Sequence, residues 1–150
     1  MLNFRLIVPL LLVVSPAFAG MALNGDVNQS TMEVTICTAG YTKAVRPSTN
    51  YTNGVKFKLM REAGIDTSLS SDYALDHAIP LVLGGSPRDR QNLRLLTAHE
   101  NSRKSRIEVK LRCLVCSGQV PLETAQQDIY NDWQAAYHQY APVKCQRPRH

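Results

Sequence analysis

Between residues 73 and 105 the chain reads "YALDHAIPLVLGGSPRDRQNLRLLTAHENSRKS". Asp76, His77, Asn92, Asn101 and Lys104 stand in a stretch whose other residues suit two buried strands and a helix. A hydrophobic core needs none of these five. A carboxylate and an amide oxygen are hard ligands, suited to Mg²⁺ or a similar cation whose shell is completed by water. A cation held by few protein ligands keeps positions open for a phosphate oxygen and a leaving group. A neighbouring imidazole can take a proton from water near neutral pH. Lys104 lies one helical turn past Asn101, on the same face, and can offset phosphate charge. The chemistry that uses all five is metal-assisted hydrolysis of a phosphodiester.

Each residue also has a plainer duty. His77 could be a core histidine with a satisfied hydrogen bond, Asp76 a turn residue, Asn92 a loop former. Asn101 could be an idle early-helix residue and Lys104 a solvated charge. Asp76 precedes an apolar run rather than a helix, which argues against a helix cap. His99 lies two positions before Asn101, and residues two apart on a helix face different ways. Glu108 is spaced to form an ordinary i,i+4 pair with Lys104.

These residues need a scaffold that brings them together. "YALDHAIPLVL" is apolar and strand-like, and Pro80 disfavours a helix through it. Gly84-Gly85, with Pro87 and Asp89 close behind, is a strong turn signal. Residues 92–96 read as a second strand. From Ala98 to Leu114 the pattern turns helical, with Ile107, Leu111 and Leu114 on one face. A second amphipathic helix is expected from Leu122 to Tyr140, burying Ala125, Ile129, Trp133, Ala136 and Tyr140. Upstream, a short strand is expected at residues 34–38 and a loop at 44–54. Val55, Leu59 and Met60 follow at helical spacing, with Gly64 as the stop. Residues 65–72 read as a polar connector. A hairpin folded back on the helix would let Asp76, His77 and Asn101 converge.

The chain has 150 residues, enough for one domain with a modest core. Its first nineteen residues have the order of an export signal: Arg5, a short apolar run from Leu6 to Val14, then Ala17-Phe18-Ala19 as a small-x-small cleavage site. The run is too short to span a bilayer, and no second long apolar run follows it, so no membrane contact is expected of the mature protein, which would be periplasmic or secreted. Residues 20–33 are polar and aperiodic and read as a flexible N-terminal arm; residues 146–150 form a basic tail. The chain carries 17 Lys+Arg against 12 Asp+Glu, a net charge of +5. That excess suits a polyanion partner without requiring one. No obligate protein partner is implied. Cys37, Cys113, Cys116 and Cys145 are an even set, which in an oxidising compartment favours disulfides, with three pairings open. The competing use is zinc, since Cys113-x-x-Cys116 has ligand spacing, or a redox-active pair.

The ordered set Asp76-His77-Ala78-Ile79-Pro80, Gly84-Gly85, Asn92-Leu93, Asn101 and Lys104 resembles the HNH, or ββα-metal, nuclease motif. Asn101 stands where the motif's name has a second histidine. That variant resembles the HNH domain of the RNA-guided CRISPR nucleases, in which Asn is a metal ligand. "GYTKAVRPSTNYTNGVK" and "LVCSGQVPLETAQQDIYNDW" resemble flanking blocks of a family of small exported bacterial HNH-type proteins.

The resemblance implies an α+β nuclease domain over residues 34–145, with a ββα-metal hairpin and helix, flanking helices and disulfide staples. It implies a catalytic set of His77 as general base, Asn92 holding the hairpin loop and orienting His77, and Lys104 on phosphate. It implies one divalent metal, Mg²⁺ first with Mn²⁺ or another as alternatives, held by Asp76 and Asn101. The paired cysteines it implies are Cys37 with Cys116, leaving Cys113 with Cys145. Nucleic acid, DNA before RNA, would be the partner, with Arg46, Arg88, Arg90, Arg94 and Arg103 as candidate backbone contacts. Phosphate contacts bring affinity without sequence preference. No second DNA-reading module is visible, so cleavage would be largely nonspecific. The rival expectation is a noncatalytic, disulfide-stapled exported nucleic-acid-binding module on the same frame.

Overall fold

Thr97 and Glu100 turn the chain from strand into helix. The Thr97 hydroxyl accepts from the Glu100 amide at 3.2 Å, and the Glu100 carboxylate accepts from the Thr97 amide at 3.1 Å. This reciprocal capping box satisfies two backbone donors that a helix start leaves without partners. It fixes where the second strand stops and the longest stretch of the site's scaffold begins.

The computed structural model describes residues 20–146; the expected signal peptide and all but Gln146 of the basic tail lie outside them. The fold is α+β. Helix α1 spans Tyr41–Val45 and α2 Thr49–Glu62. Strands β1 (Tyr73–His77) and β2 (Leu93–Thr97) form a two-stranded antiparallel sheet. Helix α3 spans Ala98–Cys116 and α4 Leu122–Tyr140. Cross-strand register places Asp76 opposite Arg94 and His77 opposite Leu93. Ile107, Leu111 and Leu114 of α3 are buried, as are Ala125, Ile129, Trp133, Ala136 and Tyr140 of α4. They join Ile36, Ile79 and Leu83 in one core, so α3 carries apolar residues into the interior while its first turns pass beside the sheet.

Two disulfides tie α3 to non-helical segments, Cys37–Cys116 to the turns after Val34 and Cys113–Cys145 to the C-terminal stretch. No cysteine is free among the described residues, which removes the thiolates a zinc site or redox pair would need. Among the described residues no helix is long and apolar enough to cross a membrane.

Four local expectations are corrected. Residues 20–33 are not a loose arm. Leu23 bridges Gly85, the Ser86 amide donates to the Ala22 carbonyl at 2.9 Å, and Val27 and Met32 are buried. Polar composition concealed a few well-spaced apolar anchors. Residues 34–38 are not a strand: a one-turn 3-10 helix at Met32–Val34 leads into turns. That geometry buries Ile36 completely and offers its carbonyl to the Arg112 side chain at 2.7 Å. The loop expected at 44–54 is largely helical, because Ser48 caps α2 by accepting from the Tyr51 amide. Helix α4 is broken at Asp132, whose φ of −156° and ψ of 94° leave the helix. Its carboxylate accepts from the amides of Gln134 and Ala135 and so starts a second helical segment.

Candidate metal and nucleic-acid site

The loop between the strands forms one wall of the site and α3 another. Asn92 is 1% exposed, and its amide ties that loop to itself. Its Oδ1 accepts from the Ile79 amide at 2.8 Å; its Nδ2 donates to the carbonyls of Ile79 and Ser86, each at 2.9 Å. Its own carbonyl accepts from the Ala78 amide at 2.8 Å. Every one of these partners sits in the loop that follows His77, so Asn92 positions the loop and does not face the solvent side of the site. Gly85 completes the crossing. A Cβ there would lie 1.8 Å from the Ile79 carbonyl oxygen and 2.7 Å from Asn92 Nδ2.

A small polar cavity of about 160 Å³ lies beside the loop, and Asp76, His77, Asn101, Glu108 and Arg46 all line it. The structure therefore brings together the carboxylate, imidazole and amide singled out from the sequence, two from the end of β1 and one from the first turns of α3. A larger open groove of about 780 Å³, between the 23–30 segment and the start of α4, is mainly apolar, and Glu123 is the one charged residue that lines it.

His77 is half-buried, and its Nε2 lies 3.2 Å from the Pro87 carbonyl. A carbonyl can only accept, so Nε2 carries the proton of this hydrogen bond and Nδ1 is the acceptor of the neutral ring. Burial holds the imidazole pKa below the ordinary histidine value; Pro87 and Asp76 oppose that shift, while Arg46 and Lys104 reinforce it.

Asp76 is 4% exposed and anchors two cations. Lys104 Nζ donates to its Oδ1 at 2.8 Å and Arg94 Nε to its Oδ2 at 2.9 Å. Lys104 is 0% exposed. Its other contacts are the His77 carbonyl at 2.7 Å and Glu108 Oε1 at 3.0 Å. An ammonium has three donors, and these three acceptors use them. The expectation that Lys104 touches phosphate is thus corrected: it is an interior counter-ion beneath the site. Helical spacing placed it on the Asn101 face; only the packing of α3 against β1 shows that this face is closed to solvent.

The arginines divide. Arg46 lines the cavity. Arg88 is exposed beside Pro87, its guanidinium stacked 4.7 Å from the Tyr51 ring centroid, and the Tyr51 hydroxyl donates to the Arg88 carbonyl at 3.1 Å. Arg90 is turned to Glu62 at 3.1 Å and to the Leu93 carbonyl at 3.0 Å. Arg103 lies over Trp133 and Tyr137 of α4. Neither Arg90 nor Arg103 lines the cavity, and Arg90 keeps 54% of its side chain exposed. His99 is exposed and outside the cavity. Glu108 is the site residue that sequence reasoning passed over as an ordinary helix pair; its spacing from Lys104 was the available signal.

Among the described residues no group of three His, Cys, Asp or Glu side chains could hold a metal ion by itself. The donors at the cavity are instead two carboxylates and an amide, the mixture that hard divalent cations accept with water in the remaining positions. Each Asp76 oxygen has two lone pairs and one protein donor, so the carboxylate keeps acceptor capacity. The donor set fits a divalent cation, with the Lys104 ammonium sharing one of the ligands.

No protein-family model, no curated protein and no solved structure matches the chain.

Proposed function

We propose that this chain is a metal-dependent, largely sequence-nonspecific endonuclease that hydrolyses phosphodiester bonds in DNA, with RNA as the related substrate, and that its β1–loop–β2–α3 unit is a ββα-metal site of HNH type. The observation that carries the reading is the shared cavity: Asp76, His77 and Asn101, distant in sequence by up to a full strand-loop-strand excursion, open onto the same 160 Å³ space.

Asp76 and Asn101 would hold the cation, with Mg²⁺ favoured by an all-oxygen donor set and Mn²⁺ as an alternative. When bound, a divalent cation supplies electrostatic stabilisation of the charge that develops on the leaving oxygen. His77 takes the proton of the attacking water at Nδ1. Its Nε2–H is held by the Pro87 carbonyl, which orients the ring and selects the basic nitrogen. A pKa below the ordinary value keeps the imidazole neutral, and thus able to accept, at neutral pH. Asn92 and Gly85 keep the loop that bears Pro87 in place. Arg46, at the cavity wall, is set to meet a phosphate of the substrate backbone, and Arg88, braced by Tyr51, is exposed on the turn that carries Pro87. Contacts of this kind give affinity without base readout.

Two disulfides fit an oxidising compartment outside the cytoplasm, where a nonspecific nuclease does not meet its own chromosome. A noncatalytic nucleic-acid-binding module is the second reading, favoured by one observation: both Asp76 oxygens already have cationic partners.

Plasmid cleavage in the presence of Mg²⁺ or Mn²⁺, with His77→Ala alongside, separates the two. The endonuclease reading expects nicking by the wild-type protein, its loss with chelator, and near-complete loss in the variant. Wild-type protein that binds DNA but leaves it intact across several divalent metals makes the chain a binding module.

A further inference from the structure

The cluster beneath the cavity contains four charged groups, and their arithmetic singles out Glu108. Asp76 is bonded by Lys104 and Arg94. Without Glu108, one carboxylate would face these two cations and the Arg46 guanidinium at the cavity wall, and the site would present a larger net positive charge to any incoming metal ion. Glu108 adds the second anion. It bonds Lys104 Nζ at 3.0 Å, one helical turn along α3, and the residue also lines the cavity with Asp76 and Asn101. Lys104 is wholly buried while Glu108 keeps 21% of its side chain exposed. The ammonium is thus interior, and the Glu108 carboxylate reaches from it to the cavity edge.

A buried ammonium needs compensation by nearby anions and acceptors. The share that Glu108 takes is a share that Asp76 does not have to give. We propose that Glu108 is a positioning residue for the cation site: by holding Lys104 it leaves the Asp76 carboxylate enough negative charge to ligate a divalent cation, and it lowers the electrostatic cost of bringing that cation into the cavity. This inference rests on the reading of Asp76 and Asn101 as metal ligands. It goes beyond that reading in assigning a role to a residue that need not touch the metal.

The test is Mn²⁺ binding to the oxidised, full-length protein, followed by calorimetric titration without nucleic acid, with thermal melting recorded for each variant. Glu108→Gln keeps the size and a hydrogen-bonding group but removes the charge. A unit charge lost within a few ångströms, partly screened by solvent, predicts about tenfold or more weaker Mn²⁺ binding. Glu108→Asp keeps the charge and should bind within about threefold of wild type; if Glu108→Gln folds poorly, Glu108→Ala, which also removes the charge, takes its place with the same expected loss. In the double variant Glu108→Gln with Lys104→Met, one anion and one cation are removed together, so affinity should return toward the wild-type value, a coupling that a double-mutant cycle isolates. A merely structural role for Glu108 would lower melting temperatures and leave the affinity of the folded protein where it was. Equal Mn²⁺ affinity in wild type and Glu108→Gln overturns the inference while leaving the metal site standing. Absence of Mn²⁺ binding by the wild-type protein overturns the metal-site reading itself, and this inference with it.

Discussion

The Nε2 of His77 is held 3.2 Å from the carbonyl oxygen of Pro87, ten residues further along the chain. The bond fixes the tautomer, because a carbonyl offers no proton to share. It also couples the imidazole to the conformation of the loop between the strands, and that loop is tied down by Asn92 and permitted by Gly85. A candidate base, its orienting acceptor and the residues that hold the acceptor form one connected unit.

His77→Ala should therefore remove catalysis and spare the fold. General-base assistance is typically worth about 10²–10⁴-fold, and the ring lies half-buried at the loop rather than in the core. The pH dependence has a definite sign. Burial lowers the His77 pKa from its usual value, so the neutral, accepting form persists at neutral pH and is lost only as pH falls through a value below about 6.5. Initial rates of plasmid nicking measured from pH 5 to 8 should be level at the upper end and decline at the lower. A profile flat across that range, in conditions where chemistry limits the rate, removes His77 from the role of base.

Salt dependence distinguishes the arginines that face the site from those that do not. Arg46→Ala should lower affinity for duplex DNA similarly for unrelated sequences and reduce the slope of log K against log salt by about one. Arg90→Ala, whose side chain is engaged by Glu62, should leave the slope unchanged. Fluorescence anisotropy at several salt concentrations measures both. Equal effects from the two variants would mean that the cavity wall is not where DNA lies.

Gly85→Ala should be among the most damaging single-methyl additions in the chain. The added carbon would sit 1.8 Å from a backbone oxygen, a distance that no rotamer change relieves, so the loop must move. Chemical denaturation should show a loss of about 3 kcal/mol or more, as expected when overpacking meets backbone rather than a flexible side chain. Because the displaced loop carries Pro87, the variant should also lose activity beyond its loss of stability. Stability within about 0.5 kcal/mol of wild type would contradict the close approach.

Gly85 also shows how far the sequence was legible. The Gly84-Gly85 pair reads as a turn, which is right for Gly84, whose φ is 80°. The reason for Gly85 is a contact with Ile79, which local composition does not contain. The same division runs through the chain. Periodic apolar faces located α3 and α4 and their buried residues, because helical spacing and burial share one cause. Asp76, His77 and Asn101 could be grouped because a hairpin folding on a helix allows only a few convergences. Lys104 could not be placed: its i+3 spacing from Asn101 gives the face, while its burial depends on β1 lying across that face. The 20–33 segment and the break at Asp132 were hidden for a similar reason, since long-range packing and a side-chain recap outweigh polar composition and continuous periodicity.

Away from the site, Tyr140 and Asp128 should limit stability in alkali. The Tyr140 hydroxyl donates to Asp128 Oδ2, and burial first, then the hydrogen bond and negative charge of Asp128, push the phenol pKa up to about 12. The folded state thus holds this proton more tightly than the unfolded chain, where a tyrosine titrates near 10. Linkage then gives the sign: the contribution is fully present below about pH 10 and is lost as pH rises toward about 12. Lysines titrate in part of the same window, so the wild-type melting curve alone does not isolate the effect. Tyr140→Phe does, because it removes the ionisable group while keeping the ring that packs in the core. Melting temperatures followed from pH 9 to 12 should fall more steeply for the wild type than for Tyr140→Phe, and the two curves should converge as pH rises. Parallel curves across that interval would show that the phenol proton is not held by the fold.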